Sequence, residues 1–324
     1  MARILIAFDT VDEGFEELKR KHEVTFPPKG RDFSREELLD MIPEYEVLCP
    51  VFDIPVDADL IERGSQLRLI ANYAVGYNNI DLHEAAKHGI VVCNTPHSVV
   101  EPTADLAMAL LLGCTRRICE WDRLFRKEKS EIERGRLVRL GSNLYGKTIG
   151  ILGFGNIGAA VARRAKAFGM KVLYNKRHRL DPLDEERLDI EYIDKDELLR
   201  RSDVVSLHTP YSGDTHHYIG QAELKLMKPT AILINTSRGA VVDEHALVAA
   251  LRGGLIAAAG LDVFEFNDEP LPGLYELPNV CLTPHIGTQT YDSRVEMAEE
   301  LSNNILGFLD GDRPYSKVPL PQSR

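Results

Sequence analysis

Lys147 to Arg179, KTIGILGFGNIGAAVARRAKAFGMKVLYNKRHR, reads as a strand, a glycine-rich turn, a helix and a second strand. Thr148 to Leu152 is a short apolar run, and Gly153, Gly155 and Gly158 follow it with the GxGxxG spacing of a dinucleotide-binding turn. Gly153 permits the tight turn, Gly155 removes a side chain where backbone approaches a pyrophosphate, and Gly158 lets the helix lie close on the strand. Ile157, Ala160, Val161, Ala165 and Phe168 recur at helical spacing on one face, and Gly169 stops the helix before Lys171 to Tyr174 resumes as a strand. The first N–H groups of that helix then point at phosphate. A bare glycine pattern also occurs in ordinary turns, so its flanks decide the reading.

The second strand ends in Asn175, where a carboxylate would accept hydrogen bonds from ribose hydroxyls and repel a 2′-phosphate. Asn175 is neutral, and Lys176, Arg177, His178 and Arg179 follow it. This predicts NADP(H) as the preferred cofactor, with NAD(H) admitted. The competing reading is a solvated basic turn.

The chain has 324 residues, enough for two domains, and its net charge of −11 argues against nucleic acid or an anionic membrane as a partner. Five cysteines, Cys49, Cys93, Cys114, Cys119 and Cys281, show no paired CxxC spacing and are expected to be reduced thiols. The opening MARILIAFDT reads neither as a signal peptide nor as a membrane span, so cytoplasm is the expected location. No metal-spaced cluster is expected, and His216-His217 is read as a pair without a metal role.

Apolar runs at Ile4 to Phe8, Val47 to Val51, Leu67 to Ala71 and Ile90 to Cys93 alternate with polar helical segments, which predicts a parallel sheet. Asn72 to Asp81 interrupts that rhythm with a glycine-containing turn, NYAVGYNNID, after a strand end. Glu101 and Pro102 open a long helix that is apolar nearly all round, and Arg116 and Arg117 are read as part of its solvated face. Beyond Arg179 there are four strand-like runs: Asp203 to Thr209 ends in polar residues, Ala231 to Ile234 runs into Asn235-Thr236-Ser237-Arg238-Gly239, Ala257 to Val263 into Phe264 to Pro270, and Val280 to Thr283 into Pro284-His285-Ile286-Gly287. In a doubly wound sheet those ends line one crevice. Thr288 to Leu309 is an amphipathic helix.

Arg238 can fork onto a carboxylate and His285 can give or take one proton near neutral pH, against the plain alternatives of a structural ion pair and a core histidine. Beside a nicotinamide the two suggest hydride transfer at a carbon that bears oxygen.

With ANYAVGYNNID, PTADLAMALLL, GKTIGILGFGNIG, SLHTP, LINTSRGAVVDEHAL, AGLDVFE and LTPHIGT in this order, the chain resembles the D-isomer-specific 2-hydroxyacid dehydrogenases over nearly its whole length. Within them it is most similar to the glyoxylate/hydroxypyruvate reductase branch. The resemblance implies an α/β fold of two Rossmann-like, doubly wound parallel-sheet domains. The substrate domain is discontinuous, residues 1–98 and 290–324, and the dinucleotide-binding domain spans 99–289. It implies a homodimer through the cofactor domain and a small 2-ketoacid substrate. Val75 and Gly76 amides with Arg238 would hold the substrate carboxylate, and His285 would protonate the carbonyl oxygen. Gly155, Asn156 and Ile157 would meet the pyrophosphate. Asn175, Lys176, Arg177 and Arg179 would surround the adenosine ribose, and Thr103, Thr209, Pro210, Thr236, Asp262 and Gly287 would lie nearer the nicotinamide.

One position departs from the family pattern. Ungapped placement from AGLDVFE puts Asn267 where the family has the glutamate paired with the histidine, and the Glu-Pro pair falls at Glu269-Pro270. The expectation is that a rearranged loop brings Glu269 to His285. A reductase of bulkier ketoacids such as 2-ketogluconate, and a non-catalytic dinucleotide-sensing binding protein on the same fold, are the alternatives.

Overall fold

The computed structural model describes residues 1–128, 137–266, 269–311 and 316–321. It forms two compact units, one of Met1–Val99 with Thr288–Arg324 and one of Val100–Gly287.

In the first unit, β1 (Arg3–Ile6), β2 (Glu23–Thr25), β3 (Val47–Cys49), β4 (Leu69–Ala71) and β5 (Val91–Cys93) make a five-stranded sheet in the order β2-β1-β3-β4-β5. Every pairing is parallel. Strands β3 and β4 are wholly buried, as expected of parallel strands covered on both faces, and they pack in one core with Phe15, Leu18, Leu60 and Ile61 from the helices. The long helix Tyr291–Leu309 adds Met297, Ala298, Leu301 and Ile305 to that core. Each such side chain contributes roughly 1.5–3 kcal/mol on full burial.

The second unit holds β6 (Thr148–Leu152), β7 (Lys171–Asn175), β8 (Glu191–Tyr192), β9 (Val204–Leu207), β10 (Ile232–Asn235), β11 (Ala258–Leu261) and β12 (Val280–Leu282). Their order is β12-β11-β10-β9-β6-β7-β8, all parallel. The chain runs outward from β6 to β8, returns to β9 on the other side of β6, and continues to β12. That reversal opens a crevice at the carboxyl ends of β6 and β9. Both sheets are of the doubly wound α/β kind that the sequence predicts.

Register brings the ends of the strands level. Leu152 pairs with Asn175 on one side and Leu207 on the other; Leu207 pairs with Asn235, Asn235 with Leu261, and Leu261 with Leu282. The residues that follow, Gly153, Lys176, His208, Thr236, Asp262 and Thr283, therefore emerge on one edge, stepped at about 4.8 Å per strand.

The turn after β6 depends on its glycines for distinct reasons. Gly153 has φ +91°, and a Cβ there would lie 2.5 Å from the His208 carbonyl carbon. A Cβ on Gly158 would lie 2.3 Å from the Gly153 oxygen, so only glycine lets the helix Asn156–Ala167 rest on its strand.

Three local expectations need correction. Phe168 does not lie on the buried face of that helix: it is the C-cap residue, 43% exposed, because the helix ends at Ala167. The helix opened by Glu101 and Pro102 is two helices, Val100–Thr115 and Ile118–Glu128, broken where Arg117 takes φ +54°. Arg117 is also not simply solvated, since it pairs at 2.6 Å with Glu120, whose side chain is buried.

Candidate active site

The edge built by these strand ends carries most of the residues singled out in the sequence. Gly155 is the N-cap of the helix Asn156–Ala167, whose first turn holds no acidic side chain and whose last turn holds Arg164 and Lys166. The first N–H groups of that helix, at Asn156 and Ile157, have no intrahelical acceptor, and the helix dipole places partial positive charge there. Unlike Gly153 and Gly158, Gly155 has nothing within 4 Å of the position its Cβ would take. Packing within the chain gives no reason for a glycine there, whereas close approach of a phosphate does.

Two hydroxyls on the same edge point to a bound group as well. Thr209 Oγ1 after β9 and Thr236 Oγ1 after β10 are buried and have no hydrogen-bond partner among the described residues. A buried hydroxyl left without a partner costs about 1–3 kcal/mol, so a ligand with polar atoms at this edge would satisfy both. Pro210 follows Thr209 and is exposed. Thr103 is buried, and its Oγ1 is 3.4 Å from the Cβ position of Gly287. The edge therefore fits a dinucleotide by its helix terminus, its open space at Gly155 and its unpaired hydroxyls.

At the end of β7, Asn175 also serves the protein itself. Its Nδ2 donates to the Ile193 carbonyl at 2.7 Å, a bond that an aspartate could not make, and its own carbonyl accepts from Gly153 N–H at 2.9 Å. Arg179 is committed too. Its Nε and Nη2 donate to the two oxygens of Glu185, each at 2.7 Å, and the guanidinium lies 5.2 Å from the Tyr192 ring centre. Tyr174 donates a 2.6 Å hydrogen bond to the same carboxylate. Arg179 and Tyr174 together hold the Glu185 carboxyl down at about 2 from its ordinary 4.5. Arg177 pairs with Asp214 at 3.3 Å, with both side chains largely exposed. Lys176 makes no ion pair among the described residues.

Asp262, just past β11, is 1% exposed and organises the turn that carries His285. Its Oδ1 accepts from Thr283 Oγ1 at 2.6 Å and Ile286 N–H at 2.8 Å, while Oδ2 accepts from Gly287 N–H at 3.0 Å. The Asp262 carbonyl accepts from His285 N–H at 2.9 Å. His285 is thereby held half-buried in a left-handed conformation, φ +53°. Burial raises the Asp262 carboxyl above its ordinary value, and its donors together with the charge of His285 oppose that rise.

Arg238 caps the short 3-10 turn Gly239–Val241 after β10 and is half-buried, with Nη1 donating to the Ser237 carbonyl at 2.7 Å. Asn235 shapes that turn: its Oδ1 accepts from Ser237 N–H at 3.0 Å, and its Nδ2 donates to the Arg238 carbonyl at 3.0 Å. Val75 and Gly76 belong to the first unit, in the turn after β4. Their carbonyls accept from Asn94 Nδ2 at 2.8 Å and Asn72 Nδ2 at 2.6 Å, while their N–H groups donate to no described residue.

Glu269 is not brought to His285. It is exposed, and its backbone N–H donates to the Phe266 carbonyl at 3.0 Å. Asn267 lies outside the described residues. His216, His217 and Glu265 place three possible metal-ligand atoms within 4.8 Å of one another. The two rings stack at 4.0 Å instead of converging, and His217 Nε2 already shares a 2.5 Å hydrogen bond with Glu265.

Comparison with known proteins agrees with this edge. A family model described as D-isomer specific 2-hydroxyacid dehydrogenase, NAD binding domain, matches residues 108–287. A glyoxylate reductase of Thermococcus litoralis is 48% identical over 313 residues, covering 94% of this chain and 91% of that protein. The chain belongs to the D-isomer specific 2-hydroxyacid dehydrogenase family.

Solved structures bear the same relation. A glyoxylate reductase from Paecilomyes thermophila has a TM-score of 0.87 at 35% identity, covering 98% of each chain. An NADPH-dependent glyoxylate/hydroxypyruvate reductase from Sinorhizobium meliloti, solved with NADP and malonate, has a TM-score of 0.84 at 28% identity, covering 100% of this chain and 99% of that one. Membership makes the protein an oxidoreductase that uses a nicotinamide cofactor and transfers hydride to a small 2-ketoacid.

Sequence reasoning passed over His208, Glu185 and Glu265. His208 shares a 2.8 Å hydrogen bond with Ser206, and burial pushes its imidazole down to about 4, so it is neutral where the reaction runs. The Glu265 bond to His217 joins residues 48 apart in sequence and had no local signal, whereas the partners of His208 and Glu185 lie two and six residues away and were passed over because no motif marks them.

The two glycines separate folding from binding. Gly158→Ala should destabilise the protein by about 1–3 kcal/mol, because Cβ must push helix from strand. Gly155→Ala, which only weakens the helix N-cap, should cost less stability, about 1 kcal/mol or under, and weaken dinucleotide binding by about tenfold or more, read by calorimetric titration. An equal loss of stability in both variants would contradict this division. Glu185 gives a pH test. Its folded value lies near 2 against 4.5 unfolded, so its stabilisation is present above 4.5 and lost as pH falls toward 2. Glu185→Gln should therefore melt below the wild type at pH 7, with the gap narrowing below pH 4.5; a gap independent of pH would show that the charge contributes nothing.

Proposed function

We propose that the protein is a cytoplasmic, NADP(H)-preferring reductase of glyoxylate or hydroxypyruvate, with 2-ketogluconate as the competing substrate. The observation that carries the chemistry is the placement of Arg238 and His285 on turns leaving the same sheet edge as the glycine turn, with His285 fixed by Asp262. When bound, a reduced nicotinamide would supply the hydride for the carbonyl carbon. Arg238 would hold the carboxylate of the ketoacid and His285 would give a proton to the carbonyl oxygen, and the resemblance assigns the amides of Val75 and Gly76 to the same carboxylate. The pyrophosphate is assigned to Gly155, Asn156 and Ile157, and the nicotinamide to Thr103, Thr209, Thr236, Asp262 and Gly287. The domain assignment follows: residues 99–289 bind cofactor, and residues 1–98 with 290–324 bind substrate.

The NADP(H) preference rests on the absence of a carboxylate at Asn175 and on Lys176 and Arg177 beside it. Arg179 contributes less than its charge suggests, because Glu185 holds both of its donor faces. The named relatives support the substrate class, since those from T. litoralis and P. thermophila are glyoxylate reductases and that from S. meliloti is NADPH-dependent. A homodimer through the cofactor unit is supported by large apolar side chains left exposed there, Ile118, Phe125, Leu137, Leu140 and Tyr145. Among the described residues no helix is long and apolar enough to cross a membrane.

Initial rates of NADPH and NADH oxidation with glyoxylate, hydroxypyruvate and 2-ketogluconate test this reading. Faster turnover with NADPH and with one of the first two acids is expected; no turnover with any despite bound cofactor would overturn it in favour of a binding protein. Glu269, exposed on the exit from β11, is assigned as the carboxylate that supports a protonated His285 during ketoacid reduction. Its loss in Glu269→Gln should lower the upper pH limit of ketoacid reduction. An unchanged pH–rate profile would remove Glu269 from the mechanism.

A further inference from the structure

Glu244 opens the helix Glu244–Arg252 and is 2% exposed. A buried carboxylate is costly unless its oxygens are well occupied, and here each is. Oε1 accepts from Glu265 N–H at 2.9 Å and Oε2 from Leu271 N–H at 3.1 Å. One side chain thus grips both ends of the stretch that carries Glu269. The grip is returned: Glu265 Oε2 accepts from Glu244 N–H at 3.2 Å, and Glu265 Oε1 shares its 2.5 Å hydrogen bond with His217 Nε2.

These bonds join three strand exits. His217 leaves β9 and donates its N–H to the Ala240 carbonyl at 2.8 Å. Ala240 and Glu244 follow Arg238 on the exit from β10, and Glu265 to Leu271 is the exit from β11. The β10 and β11 exits also touch without a gap, since a Cβ on Gly239 would fall 1.8 Å from the Phe264 carbonyl carbon. Glycine allows that contact but does not enforce it, and the Glu244 carboxylate bonds across the same two exits.

We propose that Glu244 is a positioning residue for ketoacid reduction: by holding Glu265 and Leu271 it locks the β11 exit onto the turn that presents Arg238. This rests on the proposed function, in which Arg238 holds the substrate carboxylate. A shift of about 1 Å in such a clamp can cost about a hundredfold in rate. The dinucleotide turn at Gly153 to Gly158 leaves β6 and makes none of these bonds, so the grip on the pyrophosphate, and with it most of the cofactor affinity, is expected to survive a change at Glu244.

The test is steady-state kinetics on the full-length protein as wild type, Glu244→Gln and Asp243→Ala. Glu244→Gln keeps one acceptor oxygen and presents an NH2 to the other N–H. Its kcat/KM for the ketoacid should fall about 10- to 100-fold, while KM for NADPH stays within about twofold. Asp243→Ala removes the cap of the same helix, where the Asp243 side chain accepts from Ala246 N–H at 2.9 Å, and leaves the grip intact. It should lower the melting temperature as much as Glu244→Gln does and keep kcat/KM within about twofold of wild type. A loss by Asp243→Ala equal to that of Glu244→Gln, a parallel fall in NADPH affinity, or an unaffected Glu244→Gln would overturn the positioning role. Wild type that reduces no ketoacid would overturn both this inference and the proposed function, whereas normal wild-type turnover with an unaffected Glu244→Gln overturns this one alone.

Discussion

Seven strands of the second unit run the same way, and this single constraint decides where chemistry can occur. Parallel strands need a crossover between each pair, so the chain leaves every strand at one edge and returns at the other. Because Leu152, Leu207, Asn235 and Leu261 are register partners, the residues behind them are brought level, though they are spread over more than a third of the chain in sequence. The reversal between β6 and β9 then leaves a gap at that edge that no crossover helix fills. The glycine turn, the orphaned hydroxyls and the His285 turn are all consequences of this layout.

The parts of the fold that were legible in the sequence are those whose signal is local. Buried parallel strands are short apolar runs, and β3, β4, β6, β9 and β10 stand within a residue or two of their runs. Strand β2 was not legible: Glu23, Val24 and Thr25 are an edge strand of three residues with no buried member, so they carry no apolar run. The break at Arg117 was hidden for another reason, since one residue in the left-handed region leaves no mark on hydrophobic spacing. The same distinction holds at the site. GxGxxG and the strand-end polar residues are visible because they are contiguous. The bonds that Asp262 accepts from Ile286 and Gly287 and that Glu244 accepts from Leu271 join residues 24 to 27 apart in sequence, and spacing alone does not reveal them.

Charge near the cofactor edge also has to be counted after pairing, not before. The sequence offers three basic residues and a histidine behind Asn175, but Glu185 neutralises Arg179 and Asp214 lies against Arg177. The Arg177 pair is exposed, and such pairs are worth about 0–1 kcal/mol, so a phosphate competes with Asp214 easily. Glu185 is a stronger competitor because Tyr174 orients it and its side chain is buried. Asn175 has a dual reading for the same reason: its donation to Ile193 would keep an amide there whichever dinucleotide binds.

Asp262 and Glu244 do one physical job in different places. Loops that leave a sheet edge carry N–H groups with no strand partner, and a buried carboxylate can accept two or three of them at once. Apolar packing would hold such loops less specifically, because it has no direction. The charge has a second consequence at Asp262, which sits beside His285. Burial raises that carboxyl above its ordinary value, and the charge of His285 acts with its hydrogen-bond donors against the rise.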